Sequence, residues 1–542
     1  MSRRSAAVPP AARPLVVGGV VVALVLGSVV LGQRLLRGAQ VQSSEAPMGT
    51  VDLTFSTFLG GLEWDEAFDV EADDAGNRYV TGFTLSDDFQ EARVEGPGGI
   101  VDAFVAKVST SGALVWSVVL GGTRLDTATS LALDDDGNVY VTGRTESPDF
   151  PTATALQDEL NGAACTGAPC HDAFVTKLSP DGEVVYSTYL GGSLNEEALG
   201  IAVDDSGSAY VSGNTDSLDL PVRAAFQDDF GSLPCEGDVP CPLDAFVSKL
   251  SPDGSALVYS TYLGGNAGDT NAGISVADDG TAYVTGTTRS TDFPTVGGVQ
   301  GAVTGTACGP PPGEPCPDVF VTALSPDGTK ATYSTLLGGT EPENAGGIAV
   351  DSRGRAVVTG GTQSPDFPTR RPVQGALDNG SCTSDQPEEF CDDAFVTRLS
   401  ASGGALDFST FLGGLGQDQG LGVAVDDAGN VAVAGSTDSG DFPTRRPVQP
   451  ELGGYIDGFV AVLTAGNGTL AWSTFLGGEE AERANAVTIG RGTVSAVGRT
   501  LSPDFPTVRP VQQDLEDDDY DAFLSTYGNR MRGGASSRSG SR

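Results

Sequence analysis

The stretch Val185–Gly213, VYSTYLGGSLNEEALGIAVDDSGSAYVSG, decides the fold, because the 542-residue chain writes it out seven times. Its Leu-Gly-Gly hook ends at Gly61, Gly122, Gly192, Gly265, Gly339, Gly414 and Gly478, with spacings of 61, 70, 73, 74, 75 and 64 residues. Self-similarity at this length makes the fold a property of the repeat, and one closed array replaces the several domains that length alone suggests.

Each unit parses into four short strands. In the third, Gly200–Asp204 reads as the first strand and Ala209–Ser212 as the second. Asp244–Leu250 follows a long loop as the third, and Val258–Leu263 is the fourth. The turns are Asp-rich between strands one and two, as at Asp135-Asp136-Gly137-Asn138. Between strands three and four they are Ser-Pro-Asp-Gly, as at 179–182. Pro presets φ and Gly supplies the left-handed position of a tight hairpin. The Asp134–Asn138 run has the look of a calcium loop, but the closing Glu and flanking helices are missing, so it reads as a hairpin turn.

Four antiparallel strands in each of seven units predict an all-β, seven-bladed β-propeller, an architecture that leaves only short protected edges. The ends agree. The chain opens on a fourth strand, Phe55–Leu59, and closes on a third strand, Asp521–Leu524. Pairing of the two closes the ring, with the N-terminal strand completing the last blade.

The motifs YSTYLGG, GIAVD-x-x-G, YVTG-x-T, DFPT and DAFV-x-KL-SPDG resemble those of the SBBP repeats, a family of seven-bladed β-propeller repeats. The resemblance spans residues ~50–527. It implies the fold and an exported or envelope-associated bacterial setting, and it brings no functional residues with it. The last unit departs from the pattern, with Gly490-Arg491-Gly492-Thr493 in place of the Asp-rich turn.

Residues 1–37 hold an apolar run, Leu15–Gly32, preceded by Arg3, Arg4 and Arg13 and followed by Arg34 and Arg37. Eighteen residues at ~1.5 Å each just reach across a bilayer, so this segment reads as an uncleaved signal anchor, with a cleaved signal peptide as the alternative. Residues 38–50 are a linker, 51–527 the propeller and 528–542 a basic Gly/Ser tail expected to be disordered. Localisation at the cell envelope or outside the cell follows. The net charge of −42 repels polyanions and argues against nucleic acid as a partner.

Eight cysteines fall in four consecutive loops between strands two and three. The expected disulfides are Cys165–Cys170, Cys235–Cys241, Cys308–Cys316 and Cys382–Cys391, as befits an oxidising compartment. A zinc site is disfavoured, because His171 is the chain's single histidine.

Four residues beyond each hook stands a carboxylate: Asp65, Asp126, Glu196, Asp269, Glu343, Asp418 and Glu482. The position reads as part of the connection from the outer strand of one blade to the inner strand of the next. One reading is a ring of oxygen ligands for Ca²⁺ at the propeller mouth. The other is a loop cap that accepts backbone N–H groups in every blade. Gly-x-Thr after strand two, Asp-Phe-Pro-Thr, and the glutamines Gln157, Gln227, Gln300, Gln374, Gln449 and Gln512 read as loop scaffolding, with Phe between blades.

No nucleophile elbow, phosphate-binding loop or dinucleotide fingerprint occurs in a suitable setting, and one histidine excludes histidine triads. No catalytic residue or certain cofactor is assigned. The reading is a monomeric, non-enzymatic binding or scaffold module whose protein or glycan ligand engages the loop face. A polysaccharide hydrolase or lyase using two carboxylates is the alternative. Features confined to single units, the mark of such a site, are Trp64 and Glu66, Tyr455, and Glu516–Asp519.

Overall fold

The computed structural model describes residues 50–96, 98–161, 170–231, 242–305, 308, 315–378, 391–515 and 519–529. The chain divides at residue 48, and the N-terminal unit, with its expected anchor, lies outside the described residues. Among those described, no helix is long and apolar enough to cross a membrane.

Seven sheets, each with four antiparallel strands, follow one another in sequence, and those of blades 2 to 6 run inner to outer in chain order. The seventh is made from both ends of the chain. Val51–Leu59 pairs antiparallel with Asp521–Asn529, which continues into Thr493–Thr500 and Glu482–Gly490. Ring closure is therefore as expected, and the last strand runs two residues past 527. The first blade carries an addition the repeat did not signal: Arg93–Glu95 pairs parallel with Leu114–Leu120.

The hydrophobic core is divided among the seams between blades. Tyr79, Val105 and Leu120 of blade 1 pack with Leu131, Val141 and Phe174 of blade 2 in one such cluster. Third strands are buried on both faces, as in Asp244–Leu250, because a blade lies on either side. Outer strands start exposed, with Val185 and Val258 open to solvent.

Two strand boundaries differ from the sequence reading. The inner strand of blade 3 is Glu196–Val203, beginning well before Gly200, and the second is Ala209–Thr215, so Gly-x-Thr ends the strand instead of following it. The cause is a β-bulge between Ala198 and Gly200, which recurs at the equivalent place in every blade. The bulge breaks the two-residue alternation that marks a strand in sequence. It also explains the glycine: a Cβ on Gly213 would lie 2.7 Å from the Ala198 Cα and 2.8 Å from the Phe246 ring. In blade 7 the divergent turn is a two-residue hairpin, with Arg491 and Gly492 both at positive φ (51° and 78°), the conformation tight β-hairpins favour.

Candidate functional site

All seven carboxylates after the hooks are the first residues of inner strands, not loop residues, and all are buried. In the connection from blade 5 to blade 6, the Gly414 N–H donates to Asp418 Oδ2 at 2.7 Å. The Leu415 N–H donates to Asp441 Oδ1 at 3.0 Å and the Gly416 N–H to Ser439 Oγ at 2.8 Å. Ser439 Oγ in turn donates to Asp418 Oδ2 at 2.7 Å. One step back, the Gly413 N–H reaches Gln374 Oε1 at 3.0 Å, and Gln374 Nε2 donates to Asp393 Oδ2 at 2.7 Å. Hook, carboxylate, Asp-Phe-Pro-Thr aspartate and glutamine thus form one clamp that holds the crossover between blades.

The same hook N–H reaches Asp65, Asp126, Glu196, Asp269, Glu343 and Glu482 in the other blades. Side-chain length separates two variants. In the glutamate units the second oxygen accepts a threonine hydroxyl, from Thr215 at 2.6 Å, Thr362 at 2.8 Å and Thr500 at 2.7 Å. In the aspartate units Thr84, Thr145, Thr288 and Thr437 stand at the equivalent place beside Asp65, Asp126, Asp269 and Asp418, and the shorter arm makes that contact poorer.

A second set of carboxylates escaped the sequence reading. The first residue of each third strand is also an aspartate: Asp102, Asp172, Asp244, Asp318, Asp393, Asp457 and Asp521. The signal was present, since Asp-x-Phe recurs in all seven units. Five of them face the hook carboxylate of the next blade across a glycine; a Cβ on Gly413 would lie 2.7 Å from Asp393 Cγ and 2.8 Å from Asp418 Oδ2. Burial, and then the like-charged neighbour, push these groups upward, Asp393 and Glu343 to about 8 and Glu196 to about 7.

Among the described residues no three His, Cys, Asp or Glu side chains gather as metal ligands. The carboxylates singled out for Ca²⁺ are distributed one to a clamp, and each accepts its own hook N–H, the geometry of a loop cap.

Cys308 and Cys316 are joined by a disulfide, and Cys170 and Cys391 are disulfide-bonded. Cys165, Cys235, Cys241 and Cys382 lie outside the described residues. The Phe of Asp-Phe-Pro-Thr stacks on the third-strand Phe of its own blade, as Phe442 does on Phe459 at 4.5 Å, inside the cluster shared with the preceding blade. His171 is drawn down to about 4 by burial and by the nearby Arg144.

The inner strands of all seven blades enclose a channel of about 1320 Å³. Its wall is uneven. Blades 4 to 6 present mainly small residues such as Ala272, Gly347 and Gly422, whereas the seam of blades 7 and 1 presents Glu66, Phe68, Phe83, Arg483 and Asn485. Trp64 lies 5.5 Å from the Phe83 ring and 5.6 Å from Tyr520. Tyr455 is exposed, and residues 516–518 lie outside the described residues.

A closed ring of seven blades, each crossover held by the same buried clamp, defines a repeat-built propeller scaffold. Three stretches match the SBBP family model, described as a beta-propeller repeat: residues 115–151, 185–221 and 407–443. The chain is 25% identical over 405 residues to the regulatory protein FlaEY of Caulobacter vibrioides, covering 70% of this chain and 37% of that protein. It is 24% identical over 180 residues to the uncharacterized WD repeat-containing protein L264 of Acanthamoeba polyphaga mimivirus, covering 29% of this chain and 12% of that one. The chain therefore spans little more than a third of the longer-matched relative. Among solved structures, Kuenenia stuttgartiensis hydrazine synthase is similar at a TM-score of 0.42 and 12% identity, covering 81% of this chain and 92% of that one.

Proposed function

We propose that this chain is a non-enzymatic binding or scaffold module exported to the cell envelope, and that its ligand engages the channel and the loops around its mouth. The observation that carries the reading is the division of labour among the acids. The repeated carboxylates are buried and engaged in holding crossovers, while a 1320 Å³ channel with a chemically uneven wall lies open at the axis. Buried acids already engaged by backbone donors are poorly placed for general acid or base work on a polymer. The disulfide at Cys308–Cys316 supports an oxidising compartment.

The test is to offer the full chain a panel of envelope polysaccharides and peptides, following both retention and product release. Retention without turnover is expected. Turnover abolished by replacing one acid in one blade would replace this reading with the hydrolase or lyase.

A further inference from the structure

Seven residues follow the buried hook carboxylates, Glu66, Thr127, Glu197, Thr270, Asn344, Gln419 and Arg483, and of these Glu66, Thr127, Glu197 and Arg483 line the channel. Each faces a second-strand residue of its own blade. Six of these pairs are neutral or hold a single charge, but in blade 7 Arg483 stands directly opposite Arg499. Like charges directly opposite on neighbouring strands destabilise a sheet.

Only one of the two is held in an ion pair. Arg499 Nη1 pairs with Glu66 Oε2 of blade 1 at 2.8 Å. The other oxygen of Glu66 accepts Asn485 Nδ2 at 2.9 Å, so Glu66 is engaged by two partners and acts on Arg483 only as a nearby charge. The Arg483 Nε is buried without a hydrogen-bond partner, and the side chain lines the channel. In a chain with 72 acidic residues, an arginine without an ion-pair partner here is not for want of carboxylates. By contrast, Arg144, at the blade 2 mouth, has Glu197 of blade 3 at 3.5 Å.

Beside Arg483 the wall turns aromatic. Phe68 and Phe83 line the channel with ring centres 5.7 Å apart, and no other blade places a phenylalanine at either position. A guanidinium without an ion-pair partner, in the same channel as two aromatic rings, complements a ligand with one carboxylate on an apolar body.

We infer that the channel mouth at the seam of blades 7 and 1 binds a monoanionic organic carboxylate, its acid group on Arg483 and its apolar face against Phe68 and Phe83. The inference rests on the binding-module reading and names the chemistry of its ligand. A single charge is the chemistry that fits: the −42 field opposes a polyanion, while one carboxylate restores neutrality between two arginines and Glu66. Such a group comes either as a small free acid or as the terminal uronate of a saccharide.

The experiment titrates the full chain with phenylacetate and with a glucuronate-terminated disaccharide, using phenylacetamide and the matching neutral disaccharide as controls. Binding of at least one acid, with no binding of its neutral counterpart, is expected; which acid binds identifies the source. Arg483→Gln should weaken that binding at least about tenfold, the scale of one charge-assisted hydrogen bond. Because the substitution removes a like-charge opposition, the ligand-free melting temperature should hold or rise. A fall in melting temperature, with or without weakened binding, would make Arg483 a structural residue and overturn the site. Failure of both acids to bind would overturn it as well. A peptide or glycan retained equally by wild type and Arg483→Gln would overturn this site while leaving the module reading intact.

Discussion

Asp393 and Asp418 face one another across Gly413, one ending the loop of blade 5 and the other opening the inner strand of blade 6. Both are fully buried. The propeller thus stores acid pairs at its crossovers, and the consequence is a dependence of stability on pH. Burial raises Asp126 to about 6, Asp269 to about 7, and Asp393 and Glu343 to about 8 in the fold, above the range of an unfolded carboxylate near 4.

The sign follows from proton binding. Between pH ~4 and ~8 the folded chain holds more protons than the unfolded chain, so stability falls as pH rises through that window and levels off above it. The melting temperature should increase on acidification from pH 8 to pH 5. Glu343→Gln should flatten part of this slope while keeping the fold, since the amide oxygen still accepts the Gly339 N–H and the amide nitrogen can donate to the Thr362 hydroxyl. A melting temperature that declines steadily from pH 8 to pH 5 would contradict it.

Gly413→Ala tests the clamp sterically. The added Cβ would press on both carboxylates, each fixed by its own hydrogen bonds, and an overpacked buried site of this kind costs on the order of 2–3 kcal/mol. Gly440→Ala is the control, because a Cβ there meets nothing within 4 Å. Denaturant titration should separate the two variants clearly, the first losing stability and the second matching wild type.

A recurrent backbone feature gives a prediction of opposite sign. Thr154, Ala224, Arg371, Arg446 and Arg509 occupy left-handed φ between 44° and 52° at equivalent loop positions, where blade 4 has Gly297. A β-branched residue is the worst suited to this region. Thr154→Gly should stabilise the chain by up to about 1 kcal/mol, the relief of left-handed strain exceeding the entropy glycine adds to the unfolded state. Thermal unfolding of this variant beside Gly297→Thr, which should lose stability, checks the assignment from both directions.

The blades were legible because the hook recurs in every unit and because Gly-containing turns, Pro-Asp-Gly in three units and Asp-rich in most, separate the strands. The ends were legible for a topological reason: an opening fourth strand and a closing third strand fit only a closed ring. The inner-strand starts were not, since the bulge at Ala198 breaks the alternation that reveals a strand. Asp393 was hidden differently. In a chain with 72 acids an aspartate before a strand looks like turn punctuation, and its partner Asp418 belongs to the next blade. The recurrence of Gln374 and its equivalents was visible, but the clamp they complete exists only once consecutive blades are in contact. Arg483 was passed over because its meaning depends on Arg499 opposite and on Glu66 from the far end of the chain.

Closure itself can be weakened at one residue. Phe58, from the N-terminal strand, is fully buried and packs on Phe505 at 5.8 Å, within a cluster that also holds Trp472, Phe523 and Tyr527 of blades 6 and 7. Its strand joins the blade through pairing with Asp521–Asn529 on one side and bridges from Ser56 and Phe58 to Val508 and Gln512 on the other, so this side chain anchors the first and last segments together. Phe58→Ala should cost about 3–5 kcal/mol, as for a large aromatic removed from a core. The loss should also be local. Limited proteolysis should cut first near residues 50–60 and in the last strand, while blades 2 to 5 stay protected, because opening a ring at its seam leaves the other interfaces in place. Uniform cleavage around the ring, or a variant as resistant as wild type, would show that the seam is not where the propeller is held shut.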